Sequence, residues 1–197
     1  MDQEQGVDLL KSSGALLEGH FLLTSGNHSG AYVQCALLLS RPETALPFMQ
    51  DIAARFADTP VDAVIAPAVG GIIVAYEVAR LLGARALFME REEGAMTLRR
   101  GFTLRRGERV LVVEDVITTG GSVREVREAA GRHGARVQAM ACLVDRSGGS
   151  FRMGVPFHSC VRLQFPMYQP SDCPLCRDQV PLVKPGSRGL AQRSVHD

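Results

Sequence analysis

Four branched aliphatic residues in a row, Val110-Leu111-Val112-Val113, form the most uniform apolar run of the chain. Continuous rather than alternating hydrophobicity predicts a strand buried on both faces. Behind it, Val123, Val126 and Ala130 share one face of a predicted helix, and Ser122 with Glu125 has the S-x-x-E spacing of a capping box that sets its start. Further apolar runs at Val61–Ala66, Ala84–Glu90, Arg136–Val144 and Phe157–Phe165 predict four more strands. A helix is predicted from Ile72 to Leu82, closed by Gly83, and another within Pro42–Ala57, where Phe48, Ile52 and Phe56 recur every four residues. Pro47 predicts a kink or a later start for that helix. Residues 2–13 read as a short helix stopping at Gly14, and Gly19–Gln34 as two short strands around a turn. Met96–Leu104 alternates loosely, as a hairpin containing Gly101 would.

Strands near 61, 84, 109, 136 and 157 with helices between most of them predict an α/β fold whose five-stranded sheet is mainly parallel and flanked by helices. Residues 1–197 suit one domain: a core over roughly 41–170 and a small hood from residues 1–40 plus part of the tail, capping the carboxyl ends of the strands. The net charge of +1 argues against a bulk nucleic-acid or membrane-surface binder. No run approaches about 18 apolar residues, so no membrane span is expected. The five cysteines, an odd number, suit reduced thiols in a cytoplasmic protein.

Chemistry concentrates after the central strand. Glu114 and Asp115 follow the apolar run at once, and Val116-Ile117-Thr118-Thr119-Gly120-Gly121-Ser122 leads into the helix. Such a turn aims backbone N–H groups and a positive helix end at a phosphate, while the carboxylates accept hydrogen bonds from sugar hydroxyls. Neither a dinucleotide fingerprint nor a P-loop is present. A phosphorylated sugar needs both features. Gly70-Gly71, between the strand ending at Ala66 and the helix from Ile72, forms a second anion-suited turn. Arg146, just past the strand ending at Val144, offers a guanidinium fork that matches a carboxylate.

The string Glu114-Asp115-Val116-Ile117-Thr118-Thr119-Gly120-Gly121-Ser122 resembles the 5-phosphoribosyl-1-pyrophosphate (PRPP) motif of type I phosphoribosyltransferases. Phe21, Leu23, Ser25, Gly26, Ser29 and Tyr32 resemble the F-x-L-x-S-G-x-x-S-x-x-Y hood segment of the orotate phosphoribosyltransferase family, and Leu98-Arg99-Arg100-Gly101-Phe102 resembles its short catalytic-loop branch. The likeness runs over roughly residues 14–188. It implies that Glu114 and Asp115 hold the ribose hydroxyls, that residues 116–122 hold the 5′-phosphate, and that Gly70 and Gly71 lie at the pyrophosphate. Thr118 and Arg146 face orotate, and Arg91 is a catalytic and PRPP-binding residue on loop 91–102. The implied reaction joins orotate and PRPP to give orotidine 5′-phosphate and pyrophosphate, in pyrimidine biosynthesis. Mg²⁺ arrives on PRPP with no direct protein ligand, and the partner is a second copy whose site loop 91–102 reaches. The alternatives are a phosphoribosyltransferase for another base and a non-catalytic PRPP-sensing regulator that binds nucleic acid.

Two departures stand out. Many family members carry lysines in the pyrophosphate loop and the hood, where this chain has Gly70 and Thr24, and no lysine or histidine lies between Arg91 and Val110. Arg105, Arg106 and Arg109 are expected on a solvated face. Cys173-Pro174-Leu175-Cys176 is half a zinc site. Only His158 and Cys160 come forward to complete it, and their spacing is not a standard one, so no zinc is expected. Redox use is not expected either, because no helix start follows Cys173.

Overall fold

The computed structural model describes residues 1–23 and 25–185. Thr24 and the end of the tail, including residues 186–188 of the family likeness, lie outside the described residues. In chain order the elements are α1 (Gln3–Ser12), β1 (Leu16–Leu22), β2 (His28–Val33), α2 (Cys35–Leu39), α3 (Pro42–Arg55), β3 (Ala63–Pro67), α4 (Gly71–Leu82), β4 (Arg85–Glu92), β5 (Ala95–Leu98), β6 (Arg109–Ile117), α5 (Gly121–Arg132), β7 (Arg136–Asp145), β8 (Phe157–Arg162), β9 (Met167–Tyr168), α6 (Pro174–Arg177) and β10 (Leu182–Val183).

The main sheet has the order β5-β4-β3-β6-β7-β8. All five expected strands are present and mutually parallel. A sixth, β5, is added antiparallel at the edge. Period-two alternation divides the core between the faces. Leu111 and Val113 pack with Phe48, Ile52, Val74 and Val78 from α3 and α4. Val110 and Val112 pack with Val123 and Val126 of α5, and with Met140 and Phe151. Helix α1 opens on Asp2, whose Oδ1 accepts the Gln5 N–H at 2.8 Å, and its Leu10 belongs to the α3–α4 layer.

The hood is a second sheet of order β10-β1-β2-β9. The β1–β2 hairpin was legible, but its flanks come from the tail: β10 runs parallel to β1 and β9 antiparallel to β2, through two residue pairs each.

Several local expectations are corrected. The sharp turn near 94 closes a β4–β5 hairpin with Arg91 opposite Met96, in place of a hairpin through Gly101. Glu93 (φ 48°) and Gly94 (φ 84°) supply the left-handed pair that a tight hairpin demands. Strand β6 does not end at Val113 but continues to Ile117, carrying the two carboxylates within it, and β8 stops at Arg162. Helix α3 runs through Pro47 from a start at Pro42. Helix α5 has Gly120 at its N-cap in a left-handed conformation and no side-chain cap, so the Ser122–Glu125 capping box does not form.

Candidate active site

The ladders on the two sides of β6 end at different heights. Toward β3 the pairing stops at Ile65↔Val112, while toward β7 it continues to Ile117↔Asp145. Glu114 and Asp115 therefore sit on backbone held from one side, at the carboxyl edge of the sheet, and loop 68–71 comes up against their side chains. A Cβ on Gly70 would meet Asp115 Oδ2 at 2.2 Å, and one on Gly71 would lie 3.1 Å from Glu114 Oε1 and 2.7 Å from Ala66 Cβ. Any larger residue would push this loop off the carboxylates. A lysine in place of Gly70 would need the carboxylates to move, which gives a steric reason for the departure from the family pattern.

The two carboxyl groups meet in front of this loop. Glu114 lines a cleft of about 220 Å³ with Arg91, residues 116–123 and Glu125. Asp115 turns toward Gly70, next to the Gly71 that Glu114 meets. Each carboxylate has one oxygen engaged locally: Glu114 Oε1 accepts the Asp115 N–H at 3.1 Å, and Asp115 Oδ1 accepts the Val116 N–H at 2.8 Å. The two carboxyl groups also share a hydrogen bond with each other. Burial, then the charge of Asp115, push the Glu114 carboxyl up to about 9. A ligand bringing hydroxyl donors or positive charge relieves that penalty.

The turn into α5 divides its glycines by role. Gly120 has φ 76°, and a side chain there would run into the Phe151 ring at 2.2 Å. Gly121 meets nothing nearer than Thr119 Oγ1 at 3.8 Å, so its approach side is open. Thr118, Thr119, Gly121 and Ser122 are exposed, and the N–H groups of the first turn have no partner within the helix. The turn thus presents exposed hydroxyls and unpartnered N–H groups, the features an anion site requires.

Arg91 was expected on a loop reaching outward. It lies instead in β4, on its own chain's cleft, where its guanidinium donates to Gly94 O at 2.8 Å and to Glu125 Oε1 at 3.0 Å. Glu125, read from the sequence as a cap, is thus a cleft residue. Arg99 and Arg100 pair with Glu92 and Glu90 of the same hairpin.

Arg146 follows β7, its N–H donating to Ile117 O at 2.7 Å, which ties it to the start of the Thr118 loop. Its guanidinium carbon stands 4.9 Å from the centre of the Phe165 ring. Nε is buried and, among the described residues, has no hydrogen-bond partner. Burial lowers its pKa, opposed by Tyr32. Tyr32, the last residue of the hood segment, has its own pKa raised by burial, with Arg146 opposing and Asp115 adding to the rise. Tyr32 thus stands within electrostatic reach of both halves of the site. Its place in the hood motif was the available signal; Phe165 had none.

A wider cleft of about 480 Å³ lies at the amino ends of the strands, lined by Asp62, Arg85, Arg105, Arg106 and Glu108 among others. Its two carboxylates are paired, Glu108 with Arg85 and Asp62 with the adjoining Arg109, each at 2.5 Å. Arg105 and Arg106 are exposed, as expected.

The cysteine pair is placed differently from expectation. His158 and Cys160 lie with Asp51, whose Oδ2 is 2.7 Å from His158 Nε2. Cys173 and Cys176 face His20 and His28 of the hood, and a one-turn helix, α6, does begin directly after Cys173.

Residues 45–164 match the phosphoribosyl transferase domain family. An orotate phosphoribosyltransferase of Pelotomaculum thermopropionicum is 54% identical over 190 residues, covering 96% of this chain and 100% of that one. One of Thermotoga maritima is 52% identical, covering 93% and 98%. A crystal structure of orotate phosphoribosyltransferase from Aeropyrum pernix superposes with a TM-score of 0.68 at 30% identity, covering 79% of this chain and 92% of that one. An adenine phosphoribosyltransferase from Rhodothermus marinus, 18% identical with a TM-score of 0.66 over 82% of this chain and 100% of that one, shares the fold alone. Among the described residues no helix is long and apolar enough to cross a membrane. With half or more of its residues identical to those relatives over nearly the full length of both chains, the chain belongs to the orotate phosphoribosyltransferase family.

Proposed function

We propose that the protein transfers the 5-phosphoribosyl group of PRPP to orotate, releasing pyrophosphate and forming orotidine 5′-phosphate. The observation that carries the acceptor is Arg146, a partly buried guanidinium with an orphaned Nε beside the Thr118 loop. A desolvated cation of this kind calls for an anionic ligand, and the orotate carboxylate matches its fork. Uracil and the purines have no such group.

The 116–122 turn holds the 5′-phosphate on the free N–H groups of α5 and the hydroxyls of Thr118, Thr119 and Ser122. Thr118, at the start of that turn, also faces orotate. Glu114 and Asp115, with their carboxyl groups side by side at the strand edge, accept the ribose hydroxyls. Their negative field also favours the positive charge that grows on the ribose ring as pyrophosphate leaves. The chemistry needs no protein nucleophile, so positioning carries it. Loop 68–71, with Gly70 and Gly71, lets backbone approach the pyrophosphate, and Arg91 contributes charge from within the same cleft. The open cradle beside Glu114 and Asp115 fits Mg²⁺ arriving on PRPP without a direct protein ligand; there it would supply positive charge toward the departing pyrophosphate.

The reading extends to a cytoplasmic homodimer. Val69, Ile73 and Tyr76 are 80%, 50% and 67% exposed along one side of α4 and its leading loop, an apolar stripe suited to a second copy. The reach of loop 91–102 into a partner's site belongs to this reading, with exposed Arg99 and Arg100 as its cationic groups in place of Arg91. Five unpaired cysteines support a reducing compartment. The test is orotate-dependent release of pyrophosphate from PRPP by the purified chain, against uracil, hypoxanthine and adenine. Equal turnover of uracil would remove the argument from Arg146.

A further inference from the structure

We propose that His20, His28, Cys173 and Cys176 form a structural zinc site that fastens the tail to the hood. The four ligand atoms all lie within 4.8 Å of one another. His20 Nε2 and His28 Nδ1 are 2.9 Å apart, Cys173 Sγ is 3.4 Å from His20 Nε2, and Cys176 Sγ is 3.8 Å from His20 Nε2 and 3.3 Å from His28 Nδ1. Zinc–nitrogen bonds of about 2.0–2.1 Å and zinc–sulfur bonds of about 2.3 Å in a tetrahedron set ligand atoms roughly 3.3–3.8 Å apart. The observed spacings surround that range, so a zinc ion fits with small adjustments of the rings and thiols.

The surroundings prepare the donors. His20 Nδ1 is 2.8 Å from Val180 O, so Nδ1 carries the proton and donates to that carbonyl. Nε2 is then left with its lone pair facing both sulfurs, the arrangement that orients a metal-binding histidine. His20, His28 and Cys173 are 2%, 5% and 1% exposed, and Cys176 forms the rim. Two thiols and two imidazoles suit zinc and exclude Mg²⁺, which takes oxygen ligands. Four protein donors leave no open position, so the site is structural and separate from the carboxylates of the cleft.

Topology gives the ion a task. His20 lies on β1, His28 on β2, and the cysteines bracket the first turn of α6. Two of the ligands are 153 residues apart in the chain. The tail strands β9 and β10 hold the hood through two residues each, too little pairing for independent stability. A metal that clips a long loop at its base supplies what those strands lack.

The experiment measures zinc in the full chain, purified without metal-affinity steps or chelators. About one zinc per chain is expected, retained in Cys160→Ser and lost in Cys176→Ser and His28→Gln. Dialysis against a zinc-binding chelator should lower the melting temperature by several degrees, reversed by Zn²⁺ and not by Mg²⁺. Should those variants fail to fold, cobalt loading of the wild-type chain decides. A tetrahedral Co²⁺ spectrum with a thiolate charge-transfer band supports the site. Protein that is zinc-free, unaffected by added Zn²⁺ and without that band would overturn it. So would full zinc in Cys176→Ser, or a Cys173–Cys176 disulfide mapped in freshly isolated protein.

Discussion

Glu114→Gln separates stability from activity. In the folded chain burial and Asp115 hold the Glu114 carboxyl protonated up to about 9, against 4.5 for the free side chain. The folded pKa is the higher one, so this group's contribution to stability is full below about 4.5 and is lost as pH rises toward 9. Each pH unit above 4.5 removes about 1.4 kcal/mol, which puts a ceiling of about 5 kcal/mol on the loss at pH 8. Glutamine keeps the shape and the oxygen that accepts the Asp115 N–H, and it never ionises. At pH 8 the variant should therefore be more stable than the wild type by about 2–5 kcal/mol, or roughly 5–15 °C in melting temperature for a chain of this size. The check is thermal melting of both proteins without PRPP from pH 4.5 to pH 9. The curves should converge at the acid end and separate as pH rises. PRPP with Mg²⁺ should stabilise the wild type more than the variant, whose kcat/KM should fall. Parallel pH profiles would refute the idea that a buried charge next to Asp115 sets the stability of the site.

Four further outcomes follow from the same geometry. Arg146→Ala should raise KM for orotate by about one and a half to nearly four decades, the ~2–5 kcal/mol of a truncated desolvated pair, with KM for PRPP nearly unchanged. Lysine there should rescue only part, and an equal loss with uracil would mean that the residue supports the loop. Gly121→Val should abolish PRPP binding in calorimetry with little change in melting temperature, whereas Gly120→Val should lower the melting temperature first, because its side chain meets Phe151. Asp115→Asn should lower kcat/KM by about 10²–10³ in steady-state assays while the fold is kept. Brief EDTA treatment should stop turnover and Mg²⁺ should restore it.

The parts of the fold that read clearly were those decided by local chemistry repeated over several residues. Val110–Val113 could only be an interior strand, and the five parallel strands followed from similar runs. What did not read depended on distant segments. The capping box at Ser122 and Glu125 was locally sound, yet Arg91, 34 residues earlier, takes the Glu125 carboxylate. Glu114 and Asp115 marked the site, but their close packing against Gly70 and Gly71 depends on a loop more than 40 residues earlier in the chain. His20 and His28 stand among turn residues of the hood segment, and only the fold brings them to Cys173 and Cys176. The two-residue tail strands carry no pattern of their own.

The shared hood sheet also sets an order of events during synthesis. The β1–β2 hairpin leaves the ribosome with neither of its flanking strands made. The parallel core, whose strands lie between residues 63 and 162, can close before β9 and β10 emerge. The proposed phosphate cradle is then built before the hood that covers the proposed orotate side. The same order should run in reverse in the finished protein. Amides of β1 and β10 should exchange with solvent through openings that leave β6 and β7 protected, so the molecule loosens first in the hood and last in the central sheet.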